Sequence, residues 1–357
     1  MLGLCATSCG LMHDDLEECA VRPKTRTVVH FIYQHNTDDV DHFADLVGAV
    51  TLYIFDANGK LVTSEEVTNN GSNNALRQEG FAMEFDESRL PSGQTYRFYA
   101  VAHQHPGGYD QLVGEQLPAF RRGFDPALLT VDNFRLFLES DEDNIVNHRD
   151  RMVDDLWTSR GEFTAEVPRV EDPAEGAPQE PDWEYEITIP LHRVTNKLTV
   201  RFWVPGYPEH MLTENYDMKI TMPRGNKVVD ILGNNVDETP AEYHPHDMVA
   251  EDYVVNGQPV RCIKAEFGLS RLMLTDDATL VVHDNTVDYT THVDKLHQKL
   301  AAGNQAYDYK YWSNQEYLDR QHDHELSFPM DGDIPTWVQV SISALGWAVR
   351  LQDVALE

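Results

Sequence analysis

"AVTLYIFDANGKLV", residues 49–62, decides the fold. Val50, Leu52 and Ile54 recur at every second position and run into Asp56-Ala57-Asn58-Gly59. Alternation with a period of two is the signature of a strand, and Asn58–Gly59 supplies the positive φ angles of a tight hairpin turn. The stretch reads strand, turn, strand, and its neighbours carry the same texture. Upstream, Val29, Phe31 and Tyr33 alternate with Val28, His30 and Ile32. Downstream come "FAMEF", "TYRFYAVAH" and "GEFTAEV", separated by Pro, Gly and Ser. Residues 169–181, "RVEDPAEGAPQEP", hold three prolines and four carboxylates and read as a joint. Beyond it the strand texture resumes in "WEYEITIPL", "KLTVRFWV", "DMKITM", "RLMLT", "ATLVVHD" and "TWVQVSISALGWAVRLQDVAL". Helical spacing is confined to short pieces. Val293, Leu296 and Leu300 in "HVDKLHQKLAAG" make one, and "DVDHFADLVGA" is a candidate for a second. These patterns predict an all-β protein of two antiparallel β-sandwiches in tandem, residues 27–170 and 183–357, joined by 171–182.

Charge and composition narrow the function. The 357 residues carry 60 Asp and Glu against 28 Lys and Arg, a formal charge of −32. That opposes nucleic-acid binding, whose affinity comes from cationic side chains displacing counterions. It equally opposes adhesion to anionic membranes, so membrane attachment would have to be covalent. No apolar run approaches the ~20 residues that span a bilayer.

Candidate chemistry is sparse. His244 and His246 in "EYHPHD", and His322 and His324 in "RQHDHE", sit two apart, as metal ligands on one strand face do. No HExxH or CxxC completes either site, so both read as solvated polar loops, with no metal and no cofactor expected. "HPGGYD" (105–110) lacks the strand–loop–helix setting and the lysine of a phosphate cradle. There is no GxSxG elbow and no supported Ser/His/Asp set, and the chain reads as non-enzymatic. Cys262 in "PVRCIKAEF" reads as a small apolar residue on a strand face. Trp203, Tyr207 and Trp312 lie near turns, where they would form either an aromatic platform or core.

The other three cysteines, Cys5, Cys9 and Cys19, crowd into the N-terminus. Zinc would need His13 as a fourth ligand at a spacing that matches no paired-knuckle pattern. A Cys9–Cys19 disulfide is sterically open. Lipidation is the third reading, because Ala6, Thr7 and Ser8 before Cys9 are the small residues a lipoprotein signal peptidase accepts. A diacylglycerol and an N-acyl chain on Cys9 would bury many methylenes at about 0.8 kcal/mol each. On that reading residues 1–8 are the remnant of a signal peptide and 9–26 a lipidated leader.

Taken together, three blocks resemble one family. They are "CGLMHDDLEEC" with Asp15, Leu16 and Cys19; "LVGAVTLYIFDANGKLV"; and "YWSNQEYLDRQHDHELSFPM", spanning Gln315, Glu316, Tyr317, Leu318, Asp319 and Arg320. Gly346 and Trp347 follow in a last strand. Their order is similar to that of the FimB-type anchors and minor subunits of the fimbrillin superfamily, the type V pili of Bacteroidales. The resemblance implies two transthyretin-like β-sandwich domains and an outer-membrane, surface-exposed lipoprotein anchored at Cys9. Asp14, Asp15, Glu17 and Glu18 would form the surface-export signal, and fimbrillin stalk subunits would be the partners. It further implies assembly by β-strand complementation, with Arg22 and Arg26 left uncut so that the pilus stays attached. The alternative is a lipid-anchored carbohydrate- or ligand-binding β-sandwich, which would show an exposed aromatic platform in a cleft.

Overall fold

A computed structural model describes residues 24–69, 74–109, 118–146, 152–167, 169, 182–255 and 257–330, and the backbone of 339–344 and 347–350. The chain is all-β with a few short helices. In the largest sheet the order is Leu61–Thr68, Ala49–Asp56, Gln94–His103, Leu156–Ser159, Trp183–Arg193, Thr25–His35 and Ala82–Asp86, with Phe163–Val167 also on Gln94–His103. A second sheet runs Asp247–Val255, Gln258–Ser270, Thr195–Trp203, Asp323–Pro329, Gln339–Ala344 and Trp347–Arg350. Two smaller sheets complete the set. One is built on Tyr289–Val293, Thr279–Asp284, Tyr216–Met222, Ala241–Tyr243 and Ile145–Val146; the other on Val228–Val229, Leu136–Leu138 and Phe120–Arg122.

The opening stretch forms the expected hairpin, Ala49–Asp56 against Leu61–Thr68. Of the turn pair only Gly59 takes a positive φ, +77°. Asp56 fixes the turn by accepting hydrogen bonds from the backbone N–H of Asn58 and Lys60, each 2.9 Å. The alternation understates the burial, because Thr51, Tyr53 and Phe55 are as buried as Leu52 and Ile54. Leu52 and Ile54 join a cluster with Phe31, Phe98, Trp157 and Ile189 on one face. Tyr53 and Phe55, pointing the other way, join Tyr99, Phe134, Leu136, Phe202 and Phe267. A strand buried on both faces must be covered from both sides.

That requirement mixes the two halves of the sequence. Residues 170–181, most of the predicted joint, lie outside the described residues. Trp183–Arg193 just beyond them returns to the largest sheet and pairs in parallel with Thr25–His35. In the other direction, Leu136–Leu138 pairs with Val228–Val229, and Ile145–Val146 runs parallel to Ala241–Tyr243. The largest sheet therefore draws strands from both sides of the joint. Pairing is mostly antiparallel, with Thr195–Trp203 beside Asp323–Pro329 a further parallel exception.

Two local readings need correction. "RLMLT" is not a strand: residues 271–275 run irregularly, with Leu272 fully buried. His322 and His324 are not in a solvated loop, since both are buried as the chain enters the Asp323–Pro329 strand. The helical pieces form as Phe43–Leu46 and Leu296–Ala301, while Val293 ends a strand instead.

Buried imidazoles make stability depend on pH. Burial, reinforced by His105 and Arg122, pushes His103 down to about 3. Burial also pushes His297 and His324 down to about 4. Below about pH 6.5 the unfolded chain binds protons at these positions that the folded chain refuses. The stabilisation is thus complete above pH 6.5 and is lost as pH falls toward 4. Urea unfolding between pH 7 and 5 should lose on the order of 1 kcal/mol per pH unit for each such histidine, most of it below pH 6.5. His324→Gln should flatten that slope; an unchanged slope would show that this ring does not drive it.

Candidate functional site

The block Gln315–Arg320 lies on a short helix, Asn314–Leu318, and the two residues after it. Ser313 caps the helix, its hydroxyl accepting from the Glu316 N–H at 3.1 Å. Each side chain of the block has a separate task. Gln315 stands in for a missing strand neighbour: its amide donates to Leu272 O at 3.0 Å, and its carbonyl accepts from Leu274 N at 3.0 Å. This is why the run 271–275 can be irregular around the buried Leu272 without leaving the backbone of Leu272 and Leu274 unsatisfied. Tyr317 and Leu318 are buried, and the Tyr317 ring lies 5.7 Å from that of Tyr307.

The charged members reach outward to both halves of the protein. Glu316 accepts from Arg320 Nε at 2.8 Å, His35 Nε2 at 3.1 Å and Arg160 Nη2 at 3.3 Å. Burial works to raise its carboxyl, but the hydrogen bonds from Arg320 and His35 prevail and hold it below the usual range. Arg320 donates to Asn36 O at 3.1 Å and Asp39 Oδ1 at 2.9 Å, while its guanidinium covers Trp312 at 4.8 Å. Asp319 accepts a two-pronged bond from Arg271 Nε and Nη2, both 2.9 Å. The helix is thus a clamp. It joins the end of the Thr25–His35 strand and the Arg160 turn to the irregular segment that follows Gln258–Ser270. His35, Asp39, Arg160 and Arg271 gave no sequence signal, being far from the helix in the chain and part of no motif.

Beneath the clamp is a cavity of about 240 Å³, walled by His35, Arg160, His192, Leu232, Asn234, Arg271, Glu316 and Asp319. A larger groove of about 570 Å³ lies elsewhere, between Val204, Tyr207, His210, Asp284, Val287, Tyr289 and Met330. Tyr207 is 60% exposed there, and His210 Nε2 lies 2.8 Å from Asp284 Oδ2. Of the three candidate platform aromatics, only Tyr207 faces solvent. Trp203 is buried, and Trp312 packs between Tyr307 and Arg320.

The remaining sequence candidates separate cleanly. His244 pairs with Glu242 at 2.6 Å and His246 lies 3.5 Å from Glu266. No group of three or more potential ligands is placed to hold a metal among the described residues. Cys262 is buried and free, its thiol pushed up to about 11 by burial. In "HPGGYD", Tyr109 turns inward and its hydroxyl meets that of Tyr53 at 3.0 Å. Cys5, Cys9, Asp14, Asp15, Leu16, Glu17, Glu18, Cys19, Arg22 and Gly346 lie outside the described residues, and Trp347 opens the last strand. Arg26 sits within Thr25–His35, paired with Glu84 at 3.0 Å and Glu184 at 2.5 Å.

Two sheet edges carry no further strand among the described residues. Asp247–Val255 ends the second sheet and Leu61–Thr68 ends the largest. Both carry carboxylates, among them Asp247, Glu251 and Asp252 on the first and Glu65 and Glu66 on the second. No helix of the described residues is long and apolar enough to cross a membrane.

The chain is thus an all-β protein of several sheets fastened by this clamp. Residues 16–353 match the family of fimbrillin-A associated anchor proteins Mfa1 and Mfa2, and the chain belongs to that family. Its fold is similar to that of a proposed polysaccharide-binding protein from Bacteroides thetaiotaomicron. That likeness has 22% identity and a TM-score of 0.68, over 93% of this chain and 100% of the other. It is also similar to the fimbrial anchor protein Mfa2 of Porphyromonas gingivalis, with 16% identity and a TM-score of 0.53, over 92% and 99%. No curated protein matches the sequence. The family associates with fimbrillin stalk subunits, and membership implies a surface or fimbrial location.

Breaking the clamp has a measurable cost. Asp319→Asn removes the carboxylate that neutralises a mostly buried guanidinium, Arg271. Loss of one partner of such a pair costs about 3 kcal/mol. Urea unfolding should reveal that loss, and a change below about 0.5 kcal/mol, the size of a surface substitution, would refute the clamp.

Proposed function

We propose that this protein is the lipid-anchored base of a fimbria, fixed to the outer membrane through Cys9 and holding the stalk by strand addition. The observation that carries the reading is the family match over residues 16–353. Two physical features support the finer steps. An edge strand such as Asp247–Val255 offers a main-chain ladder to an extended segment of a stalk subunit. Its carboxylates disfavour pairing with a second copy of this acidic chain and favour a donor segment bearing Lys or Arg. Attachment further needs an uncut leader. Arg26 lies in a strand bonded on both sides, to Trp183–Arg193 and Ala82–Asp86, which denies a protease the extended access it needs. Asp14, Asp15, Glu17 and Glu18 fit the acidic export signal of such leaders.

Cys9→Ser in producing cells should abolish acyl labelling and shift the protein, with its stalk subunits, from the membrane fraction to the medium. Retained labelling would refute Cys9 as the anchor. Hydrogen exchange on the released complex should slow within an edge strand, and unchanged exchange at every edge would refute strand addition.

A second reading rests on the Tyr207 groove. An exposed aromatic ring beside a carboxylate–imidazole pair suits a sugar, whose apolar face stacks while its hydroxyls take the polar groups. Glycan-array binding that is lost in Tyr207→Ala would establish it; no binding by the folded wild type would dismiss it.

A further inference from the structure

The cavity beneath the clamp is not used by any reading above, and its chemistry is unusual for this chain. On a protein of formal charge −32, the charges lining this cavity are balanced. Arg160 and Arg271 face Glu316 and Asp319 across it, and Arg320 behind Glu316 is shared with Asp39. Arg271 spends Nε and Nη2 on Asp319, while its Nη1 makes only long contacts, 3.4 Å to Gly233 O and 3.3 Å to Asn234 Oδ1. Arg160 is 47% exposed at its side chain and holds Glu316 at 3.3 Å.

His192 supplies a second, independent sign. Its side chain lines the cavity with 5% of the residue exposed, and neither ring nitrogen has a hydrogen-bond partner among the described residues. The buried Thr158 hydroxyl beside it is likewise without a partner there. An unsatisfied buried polar group costs about 1–3 kcal/mol, so an imidazole that lines the cavity with its N–H unpaired favours a ligand that accepts from it. Gly233, at φ +73°, packs tightly behind this ring: an added Cβ would collide with Val194 Cγ1 and stand 2.6 Å from Thr158 Oγ1 and 3.2 Å from His192 Nε2, so no side chain fits there. The two arginines act on this ring: after burial, Arg271, His35 and Arg160 are what push His192 well below its ordinary value.

We propose that this cavity binds a compact oxyanion, held by Arg160 and Arg271 and by a hydrogen bond from His192. A volume of about 240 Å³ admits a phosphate, sulfate or small carboxylate with a few waters and is too small for an oligosaccharide. Too few potential ligands converge for a metal among the described residues. The bound anion would bridge Arg160, at the end of the Leu156–Ser159 strand, to Arg271, after Gln258–Ser270. It would therefore tighten the same junction as the helix clamp, and ligation would stabilise the folded state by mass action.

The test is titration calorimetry and thermal unfolding of the full chain at constant ionic strength, replacing sodium chloride with sodium phosphate, sulfate or acetate. The expected result is saturable phosphate or acetate binding, at least tenfold weaker in Arg160→Gln, with the rise in melting temperature lost in the same variant. Acetate binding without phosphate binding would assign the site to a carboxylate, and the reverse to a tetrahedral anion. Sulfate and phosphate also stabilise proteins by exclusion from their surface. Equal shifts in wild type and Arg160→Gln, or no saturable heat with any anion, would overturn the proposal. Arg160→Lys keeps the charge but not the fork, and should bind more weakly than wild type. His192→Phe, which fills the space without a donor, should also lose binding.

Discussion

The strand Ala49–Asp56 is buried on both of its faces, and the rest of the architecture answers that constraint. Leu52 and Ile54 feed one core while Tyr53 and Phe55 feed another. The first core is closed largely by strands of the same sheet. The second needs apolar partners from beyond residue 194, among them Leu198, Phe202 and Phe267, with Phe134 and Leu136 between. A sheet that must be covered twice cannot be a free-standing sandwich with a solvated outer face. The chain therefore passes strands in both directions across its acidic, proline-rich joint.

Crossings of this kind bring polar backbone and charge to the junction, where they have to be satisfied. The helix Asn314–Leu318 does this with few residues. Gln315 replaces a strand neighbour for Leu272 and Leu274, Asp319 neutralises Arg271, and Glu316 with Arg320 fastens His35, Asn36 and Asp39. Such a motif looks on paper like a binding signature. In the fold its side chains are spent on internal partners, and the binding capacity it creates lies in the cavity beneath it. In a member of a fimbrillin-associated anchor family, this junction is fastened by directional bonds. Buried ion pairs add less to stability than to the choice of one geometry.

Much of the architecture was legible from local pattern. Strands at 49–56, 94–103, 195–203 and 279–284 follow from period-two alternation, and the hairpin follows from Asp56 and Gly59. What misled were places where a distant side chain took over a local role. "RLMLT" has the composition of a strand, but Gln315 satisfies its backbone and no ladder forms. His322 and His324 have the surroundings of a solvated loop, yet both are buried. Asp247–Val255 carries too many carboxylates to read as a strand, though charge is what an edge strand needs.

The sequence by itself determined most of the secondary structure, the strongly acidic composition and, through the order of its short blocks, the family. These depend on neighbours within a few residues or on composition, which the chain carries openly. Tertiary structure alone decided which strands share a sheet, which face of Ala49–Asp56 meets which core, and that His35, Arg160, His192 and Arg271 converge beneath one helix. Those residues stand up to 236 positions apart (271 − 35) and obey no common spacing. Their meeting is set by the demand that every buried face be covered and nearly every buried charge be paired.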